Sequence, residues 1–243
     1  MLKLAPVTKN SRSRNGDVMK RLLMVTAFIL ANALLAESDF SRFFSEANNA
    51  MKSNDYATAE QKFDEAIKAA QDSKLKTQAI LGKFKSMRRQ KKIREAEKFA
   101  LTSVENEKLK PSEVRQILNT VADSLLWSPR IDFALDLLKQ AQNFECPKRS
   151  NVFYKTFYDM AILYDRKNQP QSVIEVLDNI LKVREQHPAN LYTAYLKTGM
   201  AYEKLGKKDE ALKSYNAALE CGRRVKYKFD FSPAEKAIER LSR

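Results

Sequence analysis

The chain has 243 residues, with 44 Lys and Arg against 30 Asp and Glu, a formal charge of +14, one histidine and two cysteines. Two cysteines cannot make a disulfide framework, and one histidine with no cysteine at ligand spacing leaves no zinc site. None of the five glycines stands in a Gly-x-x-x-x-Gly-Lys run, which excludes a phosphate loop of that type.

At the amino terminus, MLKLAPVTKNSRSRNGDV is polar and predicted unstructured, and Met19 behind it is read as the biological start. Lys20-Arg21 then precedes Leu22 to Ala36, LLMVTAFILANALLA, fifteen residues without a charge. A basic start, a short apolar run and small residues at its end describe a secretory signal peptide, with cleavage after Ala33 or Ala36. A long basic n-region and an organelle transit peptide are the other readings of the upstream part. Against the latter, the apolar run is continuous rather than amphipathic. The run is shorter than the ~20 residues of a comfortable membrane span, and no cysteine follows it to carry a lipid. Residues 1–36 are therefore expected to be a disordered leader plus signal peptide (19–36) of a periplasmic or secreted protein. The alternative is an uncleaved membrane anchor.

From residue 40 onward one apolar pattern recurs. Ala59, Ala96, Ala134, Val173 and Ala211 are spaced by 37, 38, 39 and 38 residues, and twelve residues before each stands Ala47, Phe84, Ala122, Ala161 or Gly199. Further core positions follow each marker at four and seven residues, as in Phe63 and Ala66 or Tyr215 and Ala218, which puts them on one helical stripe. Small residues at both markers suit close helix contact, from which Phe84 departs. Pro129, Pro170 and Gly206 fall between the two helices of their repeats, and Pro111, Pro147, Pro188 and Gly222 near the junctions between repeats. Ser232-Pro233 reads as an N-cap and first helical position, predicting a capping helix over 233–242. A period near 38 means stacked helical hairpins; a plain helical bundle would not give five matches in register. Cys146 and Cys221 end the third and fifth repeats. Hairpins stacked ~10 Å apart place them beyond disulfide reach, as free or buried thiols.

These residues resemble the tetratricopeptide repeat family. The best match is AYLKTGMAYEKLGKKDEALKSYNAAL at Ala194 to Leu219, and Ala47 to Ile67 follows through Asn54, Asp55, Tyr56, Ala59, Phe63 and Ala66. The period exceeds the family's usual length of about 34 residues, so an added helical turn or longer junctions are expected. The resemblance covers roughly residues 40 to 222. It implies an all-α, right-handed α-solenoid of about five hairpins over 40–243, and a concave groove that binds a protein or extended peptide.

Residues 1–36 carry six basic and one acidic residue, so the remainder is still +9, a charge that favours acidic partners. Its densest part is Lys83, Lys85, Arg88, Arg89, Lys91, Lys92 and Arg94. By the family alignment Lys85, Arg88 and Arg89 face the groove, together with Phe44, Asn48, Trp127, Tyr158 and Arg166 from neighbouring first helices. Basic and aromatic groups so placed could hold an extended peptide bearing carboxylates; a solvated helical face is the plain alternative. The family's carboxylate clamp matches at Asn48 alone, since Phe44 and Gly82 replace its lysine and asparagine, so that activity is not implied. Asp123, Asp159, Asp165 and Glu203 on the same side interrupt any basic track for single-stranded nucleic acid.

No catalytic constellation is visible. His187 stands before a proline at a junction, and Asp209-Glu210 serves a helix start. No enzyme activity, cofactor or metal is expected. The reading is an exported protein-binding scaffold, with a membrane-anchored, self-associating structural protein as the alternative.

Overall fold

The computed structural model describes residues 10–226 and 229–243, with backbone alone at 10–18, 20 and 27–36. The described residues form helices and no strand: α1 (Asn10–Lys52), α2 (Tyr56–Ala69), α3 (Ser73–Arg89), α4 (Ile93–Asn106), α5 (Pro111–Asp123), α6 (Ile131–Gln142), α7 (Asn151–Arg166), α8 (Pro170–Leu181), α9 (Pro188–Lys204), α10 (Lys208–Arg223) and α11 (Ser232–Ser242). The chain divides into two compact parts, Met1–Ala96 and Glu97–Arg243. In the first, α1 packs on α2 and α2 on α3. In the second, each helix from α5 to α11 packs on the next, and α5, α7 and α9 also touch in sequence, as stacked hairpins require.

The markers define the core. Ala59, Ala96, Ala134, Val173 and Ala211 are all fully buried, and Phe84, the bulky exception in the second set, is 1% exposed. Small residues act where helices approach most closely. A Cβ on Gly199 would lie 2.7 Å from the Tyr215 ring, and one on Gly82 would lie 2.3 Å from Phe63.

Four of the five hairpin turns share one device. Asn54, Lys91, Asn168 and Gly206 have φ of 62°, 66°, 53° and 71°, and each stands five residues before its marker. The following amide donates back five residues: Asp55 to Ala50 at 2.9 Å, Lys92 to Met87 at 3.1 Å, Gln169 to Tyr164 at 2.9 Å and Lys207 to Tyr202 at 3.0 Å. This left-handed closure satisfies carbonyls that the helix end leaves open. In the third repeat the same position is Pro129, whose ring fixes φ near −65°. There α5 stops at Asp123 and residues 124–130 make a longer turn.

The long period has both expected sources. Helices α3 and α9 run 17 residues, and residues 143–150 and 182–187 form long junctions.

Several expectations need correction. Residues 10–18, expected to be unstructured, are helical, because nothing between Asn10 and Lys52 breaks α1. Residues 1–9 lie outside the described residues, as do the side chains at the expected cleavage points, Ala33 and Ala36. The last helix starts one residue earlier, at Ser232 with Phe231 as N-cap, and Asp230 accepts from the Ser232 amide at 3.0 Å. Gly222 lies near a junction as expected, in the last turn of α10, and a Cβ there would lie 3.2 Å from the Tyr192 ring. His187 caps α9, its Nδ1 accepting from the Ala189 amide at 3.2 Å, and both cysteines are free thiols.

Candidate functional site

The expected groove residues fall into one set in each part of the chain. In Met1–Ala96, the last turns of α3 bring Lys85, Arg88 and Arg89 together with Met51 of α1 around a recess of about 410 Å³. Lys85 and Arg89 are exposed, and neither pairs with an acid among the described residues. Arg88 lies over the Phe84 ring, 5.6 Å from its centre. The rest of the basic cluster is used within the fold. Lys83 is bound to both Asp64 oxygens at 2.6 and 2.7 Å, Lys92 pairs with Glu60 at 3.0 Å, and Lys91 supplies the left-handed turn.

Phe44 and Asn48 do not join that recess. The Phe44 ring stacks on Phe40 at 5.3 Å and meets Phe63 edge-on at 5.7 Å, so it covers the core beneath α1 and α2. Asn48 donates to the Phe44 carbonyl one turn back, at 2.8 Å.

In Glu97–Arg243, Trp127 was expected on a first helix. It lies instead in the turn after α5, 79% exposed, because α5 ends early. Arg166 of α7 sits 5.7 Å from its ring centre and donates to the carbonyls of Leu126 and Ser128. The guanidinium thus pins the turn that presents Trp127. Two turns earlier on α7, Tyr158 stacks on Tyr154 at 5.1 Å. Burial above all, with the Asp159 charge adding to it, pushes the Tyr158 phenol up from its ordinary value.

The acids on this side are engaged by bases two elements further on, except that Asp159 meets Lys155 one turn back on its own helix. Lys155 bridges Asp123 at 2.7 Å and Asp159 at 3.0 Å; Lys204 and Lys197 hold Asp165 at 2.6 and 3.5 Å; Arg240 forks onto Glu203 at 2.5 and 2.9 Å. Burial works to raise Asp165, but its lysines outweigh it and hold the carboxyl below the usual range. Asp159, 2% exposed, goes the other way: burial dominates and pushes it up to about 6 despite Lys155. Apart from Lys155–Asp159, these pairs tie repeat to repeat, and all of them offset the negative charge that a sequence count assigns to the surface.

Sequence reasoning missed Met51 in the first recess. It also missed a buried arginine, Arg115 of α5, 3% exposed. The signal for the second was available: Arg115 and Asn119 stand seven and three residues before Ala122, on the stripe that should be apolar.

No protein-family model matches the chain, and no curated protein matches it. Solved structures do. It is similar to a crystal structure of MamA at 19% identity over 80% of this chain and 98% of that one, TM-score 0.56. BtubC (BKLC) from P. vanneervenii aligns at 17% over 92% and 95%, TM-score 0.62. YrrB, described as a TPR protein with an unusual peptide-binding site, aligns at 14% over 81% and 90%, TM-score 0.54. The chain has the tetratricopeptide-repeat fold, an all-α solenoid.

Proposed function

We propose that this protein is an exported, non-enzymatic scaffold that binds a protein or extended peptide, with acidic side chains of that partner meeting Lys85, Arg88 and Arg89. The fold supports the reading, since stacked hairpins offer extended surface and one neighbour of this fold, YrrB, is described as having a peptide-binding site. The observation that carries it is the contrast within one cluster. Lys83 and Lys92 are matched to Asp64 and Glu60, whereas Lys85 and Arg89 stand exposed and line a recess together with Met51. A solvated face needs no recess. The exposed charge of Lys85 and Arg89 beside an apolar side chain suits a carboxylate-bearing segment. Trp127, held out by Arg166, and the Tyr154–Tyr158 stack are the aromatic contacts on the second part.

The test is capture from an envelope extract of the native cells, with the full chain as bait beside a Lys85→Glu, Arg88→Glu, Arg89→Glu variant. A protein retained by the first and lost by the second, with helicity unchanged, is the expected result. Equal capture by both removes the basic cluster from the mechanism.

A second reading, a membrane-retained protein, has one observation in its favour. Helix α1 is unbroken from Asn10 to Lys52, and its Met19, Leu22, Leu23, Met24 and Val25 are all more than half exposed, an apolar run of the kind that is covered in use. Among the described residues, no helix is long and apolar enough to cross a membrane. Amino-terminal sequencing of the native protein separates the readings: a chain beginning near Leu34 or Glu37 supports export with cleavage, and an intact Met19 in the membrane fraction supports retention.

A further inference from the structure

Where α5 begins and the long junction 143–150 passes over it, the second part of the chain holds a recess of about 670 Å³. Arg115, Phe153 and Phe157 line it, with Cys146, Lys110 and Lys148. The two phenyl rings lie 4.9 Å apart, and the Arg115 guanidinium sits 5.2 and 5.5 Å from their centres. Arg115 is held rigidly: Nε donates to Thr156 Oγ1 at 2.8 Å and Nη1 to the Phe144 carbonyl at 3.2 Å. Thr156 is fixed in turn by Asn119, whose Nδ2 donates to it at 3.0 Å and to the Val152 carbonyl at 2.9 Å.

What this network lacks is an acid. Among the described residues, the buried charged ones are Glu97, Glu113, Arg115 and Asp159. Each carboxylate has a donor or a counter-charge: Glu97 has Arg130 at 2.6 Å, Glu113 accepts from the Lys110 amide at 2.9 Å, and Asp159 has Lys155 at 3.0 Å. Arg115 has no carboxylate partner among the described residues, and its Nη2 has no acceptor. Glu145 also lines the recess but is exposed and makes no ion pair with Arg115 among the described residues. A buried, uncompensated guanidinium is costly, and arginines so placed are normally paired.

We infer that this recess is a ligand site for a carboxylate carried on an aromatic or aliphatic group. The carboxylate takes the Nη edge of Arg115, where a planar fork matches two oxygens, and replaces the longer bond to the Phe144 carbonyl. The apolar group packs against the parts of Phe153 and Phe157 that line the recess, and Lys110 and Lys148 draw the anion in from the rim. Inorganic phosphate would satisfy the charge but make no apolar contact with the parts of Phe153 and Phe157 that line the recess. The ligand can be a free small acid or the C-terminal residue of a chain, which share this chemistry. The site is independent of the basic cluster on α3.

The full chain is titrated calorimetrically with N-acetyl-phenylalanine, N-acetyl-phenylalaninamide, inorganic phosphate and a pentapeptide ending in a free phenylalanine. Saturable binding of the acid, weakened at least about tenfold in the amide, which forfeits the charge-assisted bonds, is the expected result. Tighter binding of the pentapeptide than of the free acid assigns the site to a chain terminus, and the reverse order to a small acid. Arg115→Met abolishes the acid's advantage over the amide, and bound acid slows alkylation of Cys146. Because Arg115→Met could disturb folding, the acid and amide comparison on the unmodified protein decides by itself. Equal binding of acid and amide, displacement by phosphate as effective as by the acid, or no saturable binding at millimolar concentration overturns the inference.

Discussion

The fifth hairpin and the third are the same unit built to opposite ends. In the fifth, Gly199 lets α9 close onto the Tyr215 ring, Gly206 closes the turn in the left-handed conformation, and the core around Tyr192, Tyr215 and Ala218 is apolar. In the third, Pro129 forbids that turn, α5 is 13 residues long, and Arg115 and Asn119 occupy core positions. Where every local choice agrees with the fold, the sequence is devoted to packing. Where two choices conflict with it at neighbouring positions, another demand has been met, and such conflicts gather at functional sites. The third hairpin is therefore the better place to look for a ligand, although the fifth resembles the family most.

The largest effect expected from this contrast is at Gly199. Gly199→Val forces side-chain atoms into the Tyr215 ring and should destabilise the chain by about 3 kcal/mol, the upper end of overpacking costs. Ala122, the corresponding residue of the third hairpin, is fully buried but already carries a methyl group, and Ala122→Gly should cost about 1 kcal/mol, from helix propensity. Urea midpoints of the two variants measure the difference. A Gly199→Val chain as stable as the parent would mean that close approach is not what glycine provides there.

Next in size is Asp159, which lies on α7 beside the third hairpin. Its carboxyl titrates at about 6 in the folded protein, above the ordinary 3.8, so between those values the folded state binds more protons than the unfolded one. Stability attributable to this group is then highest at low pH, falls as pH rises through that window, and stays low above it. Asp159→Asn removes the titration. Its stability relative to the parent should rise between about pH 4 and about pH 6 and then level off, by at most about 3 kcal/mol in all. Parallel profiles across that range would show that Lys155 compensates the buried charge fully.

The repeat was legible because its cause is local and periodic. Ala59, Ala134 and Ala211 must be small wherever they occur, so their spacing survives even where the rest of the pattern has drifted. The turns were legible through Gly206 and Asn54, whose residue types tolerate positive φ, but Lys91 adopts the same conformation without announcing it. The basic cluster was visible as composition; that Lys83 and Lys92 are matched to Asp64 and Glu60 was not, because those pairings join residues 19 and 32 positions apart. The Arg115 recess depends on Phe144 and Thr156, 29 and 41 positions away. A sequence can show that a charged residue sits on an apolar stripe, but what surrounds it is decided by a junction whose path has no periodic signature.

The smallest effects should reverse sign between the hairpins, which makes them the sharpest discriminator of how the turns are built. Asn168 holds φ at 53°, a conformation that asparagine tolerates and glycine adopts without strain. Asn168→Gly should therefore stabilise by about 0.5 kcal/mol, relief of strain outweighing the added freedom of the unfolded chain. Gly206→Ala, at φ 71°, should cost about 1 kcal/mol by the same reasoning run backwards. Pro129 occupies the matching position of the third hairpin but limits the unfolded chain instead, so Pro129→Gly should destabilise by about 0.5 to 1 kcal/mol. A gain at residue 129 would mean that the third turn is a strained copy of the others. A loss there beside a gain at 168 would mean that proline has replaced left-handed closure with a different turn, one long enough to carry Trp127 and to be gripped by Arg166.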